Sequence, residues 1–280
     1  MSLRGVYINL DRDAERRTNV ECEVAKLGGS VAFERFPAVD GRMTEVRPDV
    51  SNRAEIGCYL SHLEVIRRHA GRGDWLHLVE DDVVVSPHTG PAIAALTADS
   101  IMGVFDIIFT NVRFWTGFSH IAAMRDIFDR SVATDAEGQV TGVNNVTVVP
   151  LGTVDFFLAT SYLVNPRAAD RTAQLLERQL EATPFRTLDF VFSDLSRAGE
   201  LSIGCCLPFL TMMRLGVAST IQEGVFHWEP PLEIMDMALY VGRDVPELRR
   251  RLNDLRLSEA PSITSELIAE AYGAVIRSRA

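Results

Sequence analysis

The sequence predicts an α/β fold, a mostly parallel central sheet flanked by helices, with a helical appendage at the C-terminal end. Three observations predict it. Short β-branched runs alternate with helical patterns through the first half of the chain, the succession that builds parallel sheets. The 280 residues are 47% hydrophobic and 24% charged, the composition of a globular protein with a substantial core. The most apolar stretch, residues 201–213, contains Pro208 and is shorter than the roughly 18 residues a membrane span requires, so the apolar residues belong to that core.

Residues 4–10 (RGVYINL) read as a buried first strand, and residues 13–27 as a helix stopped by Gly28-Gly29. Residues 31–36 suggest a second strand, which the loop FPAVDGRMTEVRPDVSN joins to a helix over residues 53–70, closed by Gly71. At about 100° per residue, Ile56, Tyr59, Leu60, Leu63, Ile66 and Ala70 fall within an arc of about 120°, as a core-facing helix requires. Residues 75–79 form a third strand, ended by three carboxylates, and residues 105–110 (FDIIFT) a fourth. The second half is less regular. A Gly/Asn/Val-rich stretch over residues 136–152 precedes one apolar strand, DFFLATSYLV, followed by helices over residues 166–182 and 188–197. Arginine-rich helical patterns begin near residue 232, which divides the chain into a domain over residues 1–230 and an appendage over residues 231–280.

Charge and cysteine content narrow the function. The net charge of −10 disfavours a phosphate backbone as partner, so nucleic-acid binding is not expected. Four scattered cysteines make no disulfide framework and show no C-x-x-C spacing, which points to a reducing compartment. The start, MSLRGVYINLDRD, lacks the apolar region and cleavage site of a signal peptide, and a cytoplasmic location is expected. Membrane contact is at most peripheral. Its candidate is the segment in which Arg249, Arg250, Arg251 and Arg256 accompany Leu248, Leu252 and Leu255 at helical spacing, a pattern that better suits a solvated helix packing its leucines inward.

The strongest chemical signal is Glu80-Asp81-Asp82 at a strand end. Adjacent carboxylates repel, so a cleft position calls for raised pKa values, hydrogen-bond donors or a cation. Strand alternation would put Glu80 and Asp82 on one face and Asp81 on the other. Such oxygen ligands suit Mg²⁺ or Mn²⁺, and a metal there would hold a diphosphate. A phosphoacceptor receiver domain, which also gathers acidic residues at strand ends, needs a lysine on its last strand, and none follows Lys26.

In order within the first 90 residues stand VYINLDRDAERR, FERFPAVDG, AEIGCYLSHLEVIRR and LVEDDVVVSP, with GTVDFFLATSYLVNPRAA and TLDFVFSDL further on. Together they resemble glycosyltransferase family 25, the lipooligosaccharide and collagen galactosyltransferases. The resemblance implies a GT-A-like fold and a metal-dependent, inverting transfer of a hexose, most simply galactose, from a UDP-sugar to a saccharide acceptor. It places Asn9, Asp11, Arg12 and Arg16 near uridine and diphosphate, and Asp40 with Gly41 on the uracil side. Family members usually carry glycine where this chain has Ala54, just before Glu55. On the helical wheel Glu55, Cys58 and His62 share one border of the apolar stripe and could line a cleft edge. The acidic run also resembles the strand end of N-acetylglucosaminyltransferase I, which assigns Asp82 to Mn²⁺ or Mg²⁺ and turns Glu80 and Asp81 to ribose or bound water.

An inverting transfer needs a base for the acceptor hydroxyl. The resemblance points to Asp189, in a threonine-leucine-aspartate variant of the family's proline-valine-aspartate, with Asp194 as the other candidate. Helix capping is the competing role for Asp189 and for Asp11 or Asp13. His227, beside Trp228, is a weaker candidate for completing a metal site, and Cys205-Cys206 reads as a packed apolar pair. The rival functions are a nucleotide-sugar-binding protein without turnover and a metal-dependent phosphohydrolase, for which the sequence holds no nucleophile motif.

Overall fold

The computed structural model describes residues 2–29, 31–44, 49–50, 52–98, 103–114, 118–215 and 229–257. Its first half runs β1 (Leu3–Asn9), α1 (Ala14–Ala25), β2 (Phe33–Pro37), α2 (Arg53–His69), β3 (Trp75–Glu80), β4 (Val83–Val85), α3 (Thr89–Ala98), β5 (Ile107–Phe109), β6 (Arg113–Phe114) and α4 (Phe118–Ser131). The second continues with β7 (Val132–Thr134), β8 (Val140–Val143), β9 (Thr147–Pro150), β10 (Phe156–Phe157), β11 (Ser161–Val164), α5 (Ala169–Leu180), α6 (Leu188–Arg197), β12 (Ile203–Leu207), β13 (Thr211–Met213), α7 (Glu229–Leu239) and α8 (Val245–Leu257).

Seven strands form the central sheet in the order β2-β1-β3-β11-β5-β12-β9. β1 pairs in parallel with both β2 and β3, and β5 with β12, whereas β11 and β9 run antiparallel to their neighbours. Only those two strands oppose the common direction, so the sheet is mostly parallel, as expected. Both of its faces are covered. Leu76, Leu78, Ile107, Phe109, Tyr162, Val164 and Cys205 enter one apolar cluster, while Trp75, Ile108, Leu163 and Cys206 enter another. That is strand alternation with helices on either side. It also makes Cys205-Cys206 two buried packing residues.

The early elements fall where the hydrophobic pattern put them, within a few residues. α1 runs into Gly28 and Gly29, both at positive φ (71° and 72°), the backbone that terminates helices and favours glycine. Asn52 caps α2 by accepting from the Ala54 amide at 2.9 Å. α2 is buried beyond its predicted stripe, since Ser61, His62, Val65 and His69 are enclosed as well.

One expectation fails in the second half. DFFLATSYLV is two strands rather than one: β10 pairs with β6 in a small sheet, and β11 enters the central sheet. Between them Leu158 adopts φ 84°, a left-handed conformation that no regular strand can pass through. α7 buries Ile234, Met235, Met237, Ala238 and Leu239 in the main cluster, and its Asp236 forms a buried ion pair with Arg113 at 2.8 Å. α8 turns Leu248 and Leu252 inward, while Arg250 pairs with Glu247 and Asp254, and Arg251 with Glu233 and Glu247. The Leu255 and Arg256 side chains lie outside the described residues.

Candidate functional site

Parallel pairing brings the carboxyl ends of β1 and β3 side by side, with Ile8 opposite Glu80. Asn9 and Asp81, the next residues on, therefore emerge together, at the edge where open α/β sheets bind ligands. Asn9 is 1% exposed, and its amide is fully engaged: Nδ2 donates to Asp81 Oδ2 at 2.7 Å and to the Asp13 carbonyl at 3.1 Å, while Oδ1 accepts from Arg35 Nε at 3.2 Å. Arg16, in the first turn of α1, reaches back over the strand ends. Its guanidinium lies 2.6 Å from Asp81 Oδ1 and 3.0 Å from Asp82 Oδ2.

Two charges share one arginine, and one carboxylate oxygen is left over. Among the described residues, Asp82 Oδ1 is enclosed without a hydrogen-bond partner, as is Arg16 Nε. Burial, reinforced by Glu80 and Asp81 and opposed by Arg16, pushes Asp82 up to about 7. Asp81 is raised as well, by burial against the pull of Arg16 and Asn9. The turn is clamped from the far side, where the Arg214 amide donates to the Asp82 carbonyl at 2.7 Å beside the β4–β13 pair.

Glu80 faces elsewhere. β3 ends at this residue and the chain turns, so strand alternation stops there: Asp81 and Asp82 converge on Arg16, and Glu80 points to α2. Its Oε1 lies 3.0 Å from His62 Nε2 and 3.5 Å from Cys58 Sγ, and His62 Nδ1 meets the Tyr162 hydroxyl at 2.8 Å. Burial would raise Glu80, yet the bonds from His62 and Cys58, with the charge of Arg16, hold it below the ordinary carboxylate range. His62 is wholly buried, not a border residue.

Asp189 opens α6. Its Oδ1 accepts from Thr187 Oγ1 at 2.6 Å and from the Phe190 amide at 3.0 Å, and the Leu158 amide approaches Oδ2 at 3.4 Å. The left-handed backbone at Leu158 aims that amide. Burial, then the Asp189 charge, raises Glu55, and Asp189 acts on Cys58 too, so these groups lie within electrostatic reach of one another. Asp194 stands apart, 48% exposed and paired with Arg186 at 3.0 Å.

The remaining expected donor contacts sit one loop away. Asp11, 81% exposed, accepts from Arg35 at 2.6 Å, and Arg12 pairs with Asp40. Asp13 occupies the N-cap position of α1 without a side-chain bond to the helix. Asp40 caps a short 3₁₀ turn, Gly41–Met43, and the Arg42 guanidinium draws its pKa down to about 2. Gly41 presses on α2, where a Cβ would stand 1.8 Å from the Arg53 carbonyl oxygen. His227 and Trp228 lie outside the described residues. Arg35, Tyr162 and Leu158 escaped the sequence reading. Arg35 follows Glu34 on β2 and reads as one of a solvated charged pair, while the other two look like ordinary core residues.

The protein is thus a mostly parallel α/β sheet that gathers carboxylates and an arginine at the ends of its first and third strands. The chain belongs to glycosyltransferase family 25 (LPS biosynthesis protein), whose model matches residues 5–185. It is therefore a glycosyltransferase, an enzyme acting between a sugar donor and a saccharide acceptor. Among solved structures it is similar to a glycosyltransferase involved in the glycosylation of the major capsid of PBCV-1, at 8% identity over 70% of this chain and 74% of that one, with a TM-score of 0.38. It is also similar to an active-site mutant of LgtC, at 11% identity over 97% of this chain and 95% of that one, again with a TM-score of 0.38. No curated protein matches the sequence. Among the described residues, no helix is long and apolar enough to cross a membrane.

Proposed function

We propose that this enzyme transfers a hexose, galactose in the simplest case, from a UDP-sugar to a saccharide acceptor of lipooligosaccharide or another surface glycan, in the cytoplasm, with a divalent metal and with inversion. The observation that carries the proposal is the enclosed, unpartnered Asp82 Oδ1 beside Asp81, Asn9 and Arg16 at the ends of β1 and β3. The donor set fits a hard cation. Burial and its acidic neighbours raise Asp82, a crowding of negative charge that a bound cation would relieve. Mn²⁺ or Mg²⁺ on Asp82 would neutralise the diphosphate and the charge left on departing UDP.

This chain's own residues do the rest. Arg16 presents a guanidinium to the diphosphate while Asn9 holds Asp81 in place. Asp11, Arg12 and Asp40 contact the uridine side, and Glu55, Glu80 and Asp81 the ribose or its water. Asp189 accepts the proton of the acceptor hydroxyl as that oxygen bonds to the anomeric carbon, and the bond to UDP breaks on the opposite face. Its nearness to Glu55 and Cys58, against the surface ion pair of Asp194, favours Asp189 of the two candidates. The test is a thermal-shift and mass-spectrometric screen of UDP, GDP, CMP and dTDP sugars with and without Mn²⁺. UDP-sugars should bind and turn over with metal, and Asp82→Asn should lower metal-dependent UDP affinity at least about tenfold. Equal affinity in that variant, with the fold intact, overturns the metal role.

A further inference from the structure

Cys58 and His62 are four residues apart on α2 and so project from one face of the helix toward the end of β3. There they meet Glu80. His62 Nε2 and Cys58 Sγ lie 3.0 Å and 3.5 Å from Glu80 Oε1, and the three ligand atoms all fall within 4.8 Å of one another. We infer that Cys58, His62 and Glu80 form a second cation site, selective for a borderline-soft divalent metal such as Zn²⁺ and distinct from the Asp81-Asp82 pair.

The spacing suits the ion. Bonds of about 2.0–2.3 Å to nitrogen, oxygen and sulfur around a tetrahedral centre separate the ligand atoms by about 3.3–3.8 Å, within a small side-chain adjustment of those seen here. Charge balances too, because a thiolate and a carboxylate neutralise a divalent ion while imidazole adds none. In the absence of a cation, burial pushes the Cys58 thiol well up, and the neutral thiol donates to Glu80. The Tyr162 hydroxyl, buried against His62 Nδ1, can accept from Nδ1–H and so free the Nε2 lone pair for metal, the outer-shell role that a carboxylate, carbonyl or water fills at other histidine ligands. Cys58 and Glu80 are each partly exposed, which leaves an entry path and a fourth position for water. Sulfur and imidazole favour Zn²⁺, for which Co²⁺ is a weaker-binding probe, whereas the oxygens of Asp81 and Asp82 suit Mg²⁺ or Mn²⁺. The site does not depend on the donor chemistry proposed above. Where Glu80 also serves the donor, occupancy makes Zn²⁺ an inhibitor.

The experiment is a Co²⁺ titration of the full chain carrying Cys22→Ser, which removes the exposed thiol. A thiolate-to-cobalt charge-transfer band should saturate at one Co²⁺ per chain, yield to Zn²⁺, and vanish when Cys58→Ser is added. Tyr162→Phe should weaken Co²⁺ affinity by about 10- to 100-fold, and it serves where His62→Gln does not fold. Asp82→Asn should keep the band, which separates this site from the Asp81-Asp82 pair. A folded protein with no saturable band, or a band that survives Cys58→Ser, overturns the inference.

Discussion

Asp189→Asn distinguishes a proton acceptor from a helix-capping carboxylate. An asparagine oxygen at the Oδ1 position keeps the bonds from Thr187 Oγ1 at 2.6 Å and the Phe190 amide at 3.0 Å. Its NH₂ then replaces Oδ2 opposite the Leu158 amide, so the long 3.4 Å bond is what the fold loses. One such bond is worth about 1 kcal/mol, or about 2–4 °C in Tm for a protein of this size. Loss of a general base is a different scale, about 10²- to 10⁴-fold in turnover, which is about 2.7–5.4 kcal/mol of barrier. Transfer measured by mass spectrometry, beside UDP affinity by calorimetry, should therefore show near-normal melting and binding with turnover almost gone. Asp194→Asn breaks only a half-exposed ion pair, worth about 0–1 kcal/mol, and should transfer normally. Full activity in Asp189→Asn, or its loss in Asp194→Asn, refutes the assignment.

Two further perturbations test the scaffold. Gly57→Ala should gain about 1 kcal/mol of helix propensity, yet its Cβ would sit 2.6 Å from the Gly41 amide and 2.7 Å from the Val39 carbonyl oxygen, a backbone clash worth about 1–3 kcal/mol. A Tm several degrees lower is expected, and an unchanged or higher Tm refutes the close approach. His77 is buried among β-strands, and burial holds its pKa down to about 3 against an ordinary 6.5. The unfolded chain therefore binds this proton first as pH falls, so stability is complete above 6.5 and declines toward 3. The loss is about 2 kcal/mol between pH 6.5 and 4.5, and denaturant melts should show His77→Gln lacking that part of the pH slope.

The first five elements were legible because each carries its own signal: a β-branched run for β1, the Gly28-Gly29 stop for α1, a counted apolar arc for α2. The break at Leu158 was not, since a left-handed leucine leaves no mark in composition or period. Within the site, the grouping of Asn9, Arg16 and Asp81 follows from parallel strands ending together, which the βαβ order already implied. The partition of the acidic triplet did not follow, because it depends on β3 stopping at Glu80 rather than one residue later. Tyr162 lies 100 residues from His62 in sequence, beyond any local pattern. Asp189 and Asp194 are five positions apart on one helix and so rotated by about 140°; which of them faces the cleft is decided by how α6 packs.

The left-handed joint at Leu158 also mounts the two halves of the site on different supports. Asp81 and Asp82 extend from β3 of the central sheet, whereas the amide at Leu158, which holds Asp189, follows β10 of the two-stranded β6–β10 ribbon. A leucine at positive φ costs about 1 kcal/mol or more, a strain the surrounding packing must offset. Substitution there can change the gap between the two carboxylate groups without altering either one. On the proposed roles, a substitution at Leu158 would therefore act on the acceptor side and leave the donor carboxylates in place.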